Sequence, residues 1–131
     1  MTQPSLISFK KIGDSDSGFI SVAQFEEQVP FDIKRIFWIY DSPEALIRGN
    51  HAHRTGKQVI IPLKGEIEVS LENSGGETNV FVLKDPNTGL LVPEMHWLKI
   101  KMEKDSVLLC ISSMPYDEKN YMREKKEFFQ K

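Results

Sequence analysis

The sequence predicts an all-β protein, an antiparallel sandwich or barrel that ends in a short helical tail. Three observations predict it. Short runs rich in β-branched and aromatic residues follow one another along the chain, Gly and Pro fall between them, and only the last stretch carries a helical pattern. The 131 residues suffice for one domain with its own core, so residues 1–131 are expected to form a single domain.

Ile7-Ser8-Phe9-Lys10-Lys11-Ile12 is the first predicted strand, followed by a loop over Gly13-Asp14-Ser15-Asp16-Ser17-Gly18 and a second run, Phe19-Ile20-Ser21-Val22. Lys34 to Tyr40 is dense in aromatic and β-branched residues, as half-buried strands are. Gln58 to Leu63 reads as a buried strand. Glu66 to Leu71 alternates acidic and apolar residues until Ser70, and a polar tip over residues 73–77 joins it to Asn79–Leu83 as a hairpin. Gly89–Val92, Trp97–Met102 and Ser106–Ser112 complete the strands. Residues 117–129 read as helix, with Tyr121, Lys125 and Phe128 on one face that packs against the barrel or a second subunit.

Composition narrows the function. A net charge of −2 gives no electrostatic reason for a nucleic-acid or membrane partner. Basic residues do collect locally (Lys10-Lys11, Lys34-Arg35, Arg48, Arg54), which suits a small phosphorylated ligand. The lone Cys110, within Val107–Ile111, reads as an inert core residue. The chain shows no apolar leader and no run of 18 apolar residues, so a cytoplasmic location is expected.

The chemistry concentrates in Arg48-Gly49-Asn50-His51-Ala52-His53. Residues two apart on a strand share a face, so the two imidazoles stand side by side, able to bind a metal or to move a proton. His51-x-His53, Gln58 and Gly65 stand at the spacing of the first sequence motif of the cupin barrels, with Gln where metal-binding members usually carry Glu. Pro30-Phe31-Asp32-Ile33-Lys34-Arg35, the histidine segment, Gly89-Leu90-x-Val92 and Tyr116 to Arg123 extend the likeness in order along nearly the whole chain. Together they resemble the bacterial dTDP-sugar 3,4-ketoisomerases.

That resemblance implies a cupin-like antiparallel β-barrel (jelly roll) with a short C-terminal helix. It also implies a homodimer with exchanged strands, no metal and no cofactor, and a dTDP-linked 4-keto-6-deoxy sugar as substrate. The carbonyl moves from C4 to C3 through an enediolate, on the way to aminosugars of surface glycans. His51 is then the base and His53 its orienting or relaying partner. Arg35 and Arg48 suit an oxyanion or diphosphate, and Gln58 and His96 complete the substrate contacts. Two departures stand out. Phe37 and Trp38 occupy positions where the family usually carries tyrosines. Val92-Pro93-Glu94-Met95-His96-Trp97-Leu98 replaces a Gly-Pro-x-x-Trp segment that is followed by His or Arg, so either Trp97 or Leu98 stands at that last position.

Two other readings compete. A metal-dependent cupin would use His51, His53 and His96, with Gln58 as a weak fourth ligand. A non-catalytic sugar-nucleotide-binding cupin would explain the lost tyrosine.

Overall fold

The computed structural model describes residues 2–129. Its strands in chain order are β1 (Ser5–Ser8), β2 (Ile12–Asp14), β3 (Gly18–Ile20), β4 (Arg35–Ile39), β5 (Ile47–His53) and β6 (Gln58–Lys64). They continue as β7 (Ile67–Asn73), β8 (Thr78–Leu83), β9 (Thr88–Val92), β10 (His96–Met102), β11 (Val107–Ser112) and β12 (Tyr121–Met122), before helix α1 (Lys125–Phe129). Two five-stranded antiparallel sheets face each other, in the orders β1-β9-β6-β11-β4 and β12-β5-β10-β7-β8. This is the predicted jelly-roll arrangement.

The main core lies between the sheets. Ile60, Leu90, Val92, Leu108 and Cys110 of the first pack on Ile67, Val69, Leu71, Leu98, Ile100 and Met102 of the second. The first sheet is buried on its other face as well, where Phe9, Val29 and Phe31 cover Val59, Ile61, Leu91 and Ile111. Burial on both faces explains why β6 reads as a continuous apolar run rather than an alternating one.

Three expectations are corrected. The first predicted strand ends at Ser8, because Phe9 turns inward to plug the outer face of the sheet, and Ile12 starts a separate hairpin. The predicted loop over residues 13–18 is the tip of that hairpin, with Asp14 pairing Gly18 and its carboxylate accepting the Ser17 amide. The tail is not one helix. Glu118–Asn120 makes a single 3-10 turn, Tyr121–Met122 is strand, and only Lys125–Phe129 is α-helical. Pairing with the free edge of β5 satisfies the backbone of this stretch and sends Tyr121 and Met122 to opposite faces. Met122 and Phe128 then bury Ala52 and Trp97 on the outer face of the second sheet.

Candidate active site

Gly49 and Asn50 have φ of 84° and 55°, the left-handed region that Gly and Asn enter most readily. There β5 takes in an extra residue: Leu98 pairs with His51 and Lys99 with Gly49, leaving Asn50 unpaired. Directly opposed residues of an antiparallel pair share a face. Arg48 opposes Ile100 and His51 opposes Leu98, so both point between the sheets. In an unbroken strand, residues three apart would point to opposite faces.

They open onto a cavity of about 360 Å³, within the size range of small-molecule sites. Phe37, Ile39, Leu98 and Ile100 supply apolar walls, while Arg48, His51, Gln58, Tyr121 and Arg123 supply the polar groups; Trp38 reaches the margin from an outward-facing position on β4. Gln58 reaches it from the first residue of β6, a buried amide leading into the apolar run from Val59 to Leu63.

His51 and His53 stack edge to face with ring centroids 5.0 Å apart, and Tyr121 packs against both, at 4.9 and 4.6 Å. The trio exists because Tyr121 pairs with His53 across β12 and β5. Burial holds the His51 imidazole below its ordinary pKa, helped by the Arg123 charge and opposed by the Gly49 backbone and Glu118. His53 is pulled down to about 3, by burial first and then by the charges of His51, Arg35 and Arg123. Both rings are therefore neutral at physiological pH. Nδ1 of His51 and Nε2 of His53 are buried with no hydrogen-bond partner among the described residues, a condition that concentrates at functional sites.

Arg35 lies beside this trio, its Nη2 donating a long 3.4 Å hydrogen bond to the Tyr121 hydroxyl. Its guanidinium sits over Phe37 at 5.0 Å from the ring centroid. At the cavity margin Arg123 stacks on Tyr121 at 4.7 Å and donates to both carboxylate oxygens of Glu118, at 2.6 and 3.0 Å. Glu118 in turn accepts from the Tyr116 hydroxyl. Tyr121 and Arg123 belong to the Tyr116–Arg123 segment that extends the family likeness, but the sequence pattern sets them in a helical tail and gives them no place in the site. The available signal was Tyr121-Met122, an aromatic and an apolar residue side by side, which a strand sends to opposite faces.

Not every predicted residue joins the site. His96 is buried at the start of β10, outside the cavity lining, with Nδ1 3.0 Å from the Glu94 carbonyl. Trp97 points outward onto Phe128, whereas Leu98 faces inward opposite His51. Leu98 is thus the residue of this segment that stands opposite His51 on the cavity wall, while the Met95 amide donates to the His53 carbonyl. Among the described residues no group of three His, Cys, Asp or Glu side chains could hold a metal ion, so His51, His53 and His96 do not form the tri-histidine centre that the metal-dependent reading requires.

Two neutral imidazoles beside a cavity of mixed apolar and polar lining, with cations at its edge, equip a jelly-roll protein for acid–base chemistry on a small anionic molecule. Comparison with known proteins agrees. The family described as WxcM-like, C-terminal (FdtA) matches residues 2–131. A TDP-4-oxo-6-deoxy-alpha-D-glucose-3,4-oxoisomerase from Aneurinibacillus thermoaerophilus is 33% identical over 94% of this chain and 88% of its own length. The sugar 3,4-ketoisomerase QdtA from Thermoanaerobacterium thermosaccharolyticum, solved with TDP, is 31% identical with a TM-score of 0.92, over 97% of this chain and 92% of that one. A His-to-Asn mutant of QdtA, solved with TDP-4-keto-6-deoxyglucose, gives 30% identity and a TM-score of 0.93, over 99% and 94%. The chain belongs to the dTDP-sugar 3,4-ketoisomerase family and is an isomerase of deoxysugar biosynthesis.

Proposed function

We propose that this chain moves the carbonyl of a dTDP-linked 4-keto-6-deoxyhexose from C4 to C3, with His51 as the base. One observation carries the reading: the His51 ring lies on the cavity wall, half-buried and neutral, with His53 packed against it. A ketone at C4 acidifies the C3 hydrogen. The C–H electron pair becomes a C3–C4 double bond as His51 takes the proton, which leaves an enediolate. A free imidazole on the cavity wall suits this step. One sugar carbon is oxidised as its neighbour is reduced, so the reaction calls for no external redox partner and no cofactor.

His53, beside His51 but outside the cavity lining, fits an orienting role. Arg48 and Arg123 present guanidinium donors to the diphosphate, Gln58 offers an amide to the sugar, and Arg35 stands next to the Tyr121 hydroxyl. His96 fits a supporting role, through its contact with the Glu94 carbonyl.

Residues 1–131 work as one catalytic domain in this reading, paired as a homodimer with exchanged strands. The exposed apolar side chains of Leu6, Ile12, Phe19 and Ile20 on the N-terminal strands support such pairing. Among the described residues no helix is long and apolar enough to cross a membrane. The reaction is placed in the cytoplasm, within synthesis of surface glycans such as the lipopolysaccharide O-antigen, because a C3 ketone is what a following amination needs.

The test is NMR of dTDP-4-keto-6-deoxyglucose incubated with the purified protein. The reading expects a 3-keto product from the parent and none from His51→Asn. An unchanged substrate, or a His51→Asn variant working at the parental rate, contradicts it.

A further inference from the structure

Moving a carbonyl between neighbouring carbons requires more than one base. The hydrogen on O3 must leave and O4 must gain one, so a group that both donates and accepts has to stand beside the two oxygens. Among the described residues that line the cavity, Tyr121 carries the only hydroxyl. Phe37 and Trp38 have none, the arginines only donate, and the Cys110 thiol is pushed up to about 12 by burial.

Building on the isomerase reading of this site, we infer that Tyr121 is a catalytic residue whose hydroxyl carries the proton from O3 to O4 of the enediolate. Three contacts place it. Its ring lies 4.9 Å from His51 and 4.6 Å from His53, which sets the hydroxyl near the atoms the base attacks. Its oxygen accepts from Arg35 Nη2 at 3.4 Å, which fixes the oxygen and leaves its own hydrogen free to point at a substrate oxygen. Its backbone is clamped to His53 by the β12–β5 pairing, which fixes the ring relative to the base.

The protons balance. His51 takes the C3 hydrogen, and the negative charge gathers on O4. Tyr121 gives its hydroxyl proton to O4 and takes the O3 proton, ending as it began. The imidazolium then protonates C4 as the O3 electron pair closes the C3 carbonyl.

Tyr121→Phe keeps the aromatic packing and removes the relay. With dTDP-4-keto-6-deoxyglucose in D₂O, NMR reads deuterium entry at C3 and formation of the 3-keto product separately. The variant is expected to keep C3 exchange within about threefold of the parent while isomerisation falls by about 10²–10⁴-fold, the usual range for a lost proton-transfer group. Isomerisation within threefold of the parent overturns the inference. So does an equal loss of exchange and isomerisation, which would mark the ring as a mere support for the histidines. A parent that shows neither process defeats the isomerase reading itself, and this inference with it.

A chain carrying 3-fluorotyrosine at position 121 keeps size and packing and carries a more acidic phenol, which covers the case of an unstable Phe variant. Its isomerisation profile is expected to shift to lower pH while its exchange profile stays in place. An unshifted isomerisation profile overturns the inference.

Discussion

Arg48 and His51 face the same cavity because Asn50 is squeezed out of the β5–β10 ladder between them. A three-residue spacing that an ordinary strand cannot use becomes one wall carrying a cation and a base. Gly49 makes the bulge possible: its φ is 84°, and a Cβ there would lie 2.8 Å from the Leu98 carbonyl oxygen. Gly49→Ala is expected to lower stability by about 1–3 kcal/mol, the usual cost of a residue held in an unfavourable backbone region. It should also reduce kcat/KM, because relaxing the bulge turns Arg48 or His51 away. Thermal melts and steady-state kinetics check both effects.

Stability should depend on acid through His53. Its folded pKa is about 3 against an ordinary value of 6.5. Between those values the unfolded chain holds a proton that the folded chain refuses, so stability is complete above pH 6.5 and drains away as pH falls towards 3. His53→Asn removes this term, and its Tm is expected to fall less steeply across the same window. Melting curves from pH 7 to 4 provide the comparison, and parallel slopes would contradict it.

Activity should follow His51 in the same direction. Because burial lowers its pKa, the free base persists below the ordinary histidine range. The acidic limb of the kcat/KM profile is therefore expected below pH 6.5. A limb at or above that value would show the base to be an unperturbed, solvated imidazole.

Arg123 is held at the cavity margin by two bonds to Glu118. Arg123→Ala is expected to raise KM about tenfold or more with a smaller change in kcat, the size of one charge-assisted hydrogen bond to phosphate. Glu118→Gln should raise KM less, since the guanidinium remains but is less well fixed. Kinetics on the two variants and isothermal titration with TDP test the ordering.

Much of this architecture is legible in the residues. Glu66 to Leu71 alternates because one face of β7 meets the core, with Ile67, Val69 and Leu71 fully buried, and the polar tip after it turns the chain into β8 as the hairpin pattern predicts. The histidine pair is legible for the same reason, since period-two spacing survives wherever a strand runs straight. The bulge is not. Gly49-Asn50 reads as a turn signal, and only the register of β10 shows that the strand continues through it. Tyr121 is missed because two residues are too few to display a period, and their conformation is set by a distant edge, that of β5. Around them, Phe128 buries fully against Trp97 at 5.7 Å, a helix-like signal that is real but covers only the last turn. Phe128→Ala is expected to cost about 3–5 kcal/mol, measurable by urea unfolding.

Hydrogen exchange at C3 of dTDP-4-keto-6-deoxyglucose in D₂O, followed by NMR for the parent and for His51→Asn, tests the central claim most directly. Deuterium should enter with the parent and fail to enter with the variant, while both proteins melt cooperatively. Parental exchange rates in His51→Asn would contradict the account and hand the base role to another group.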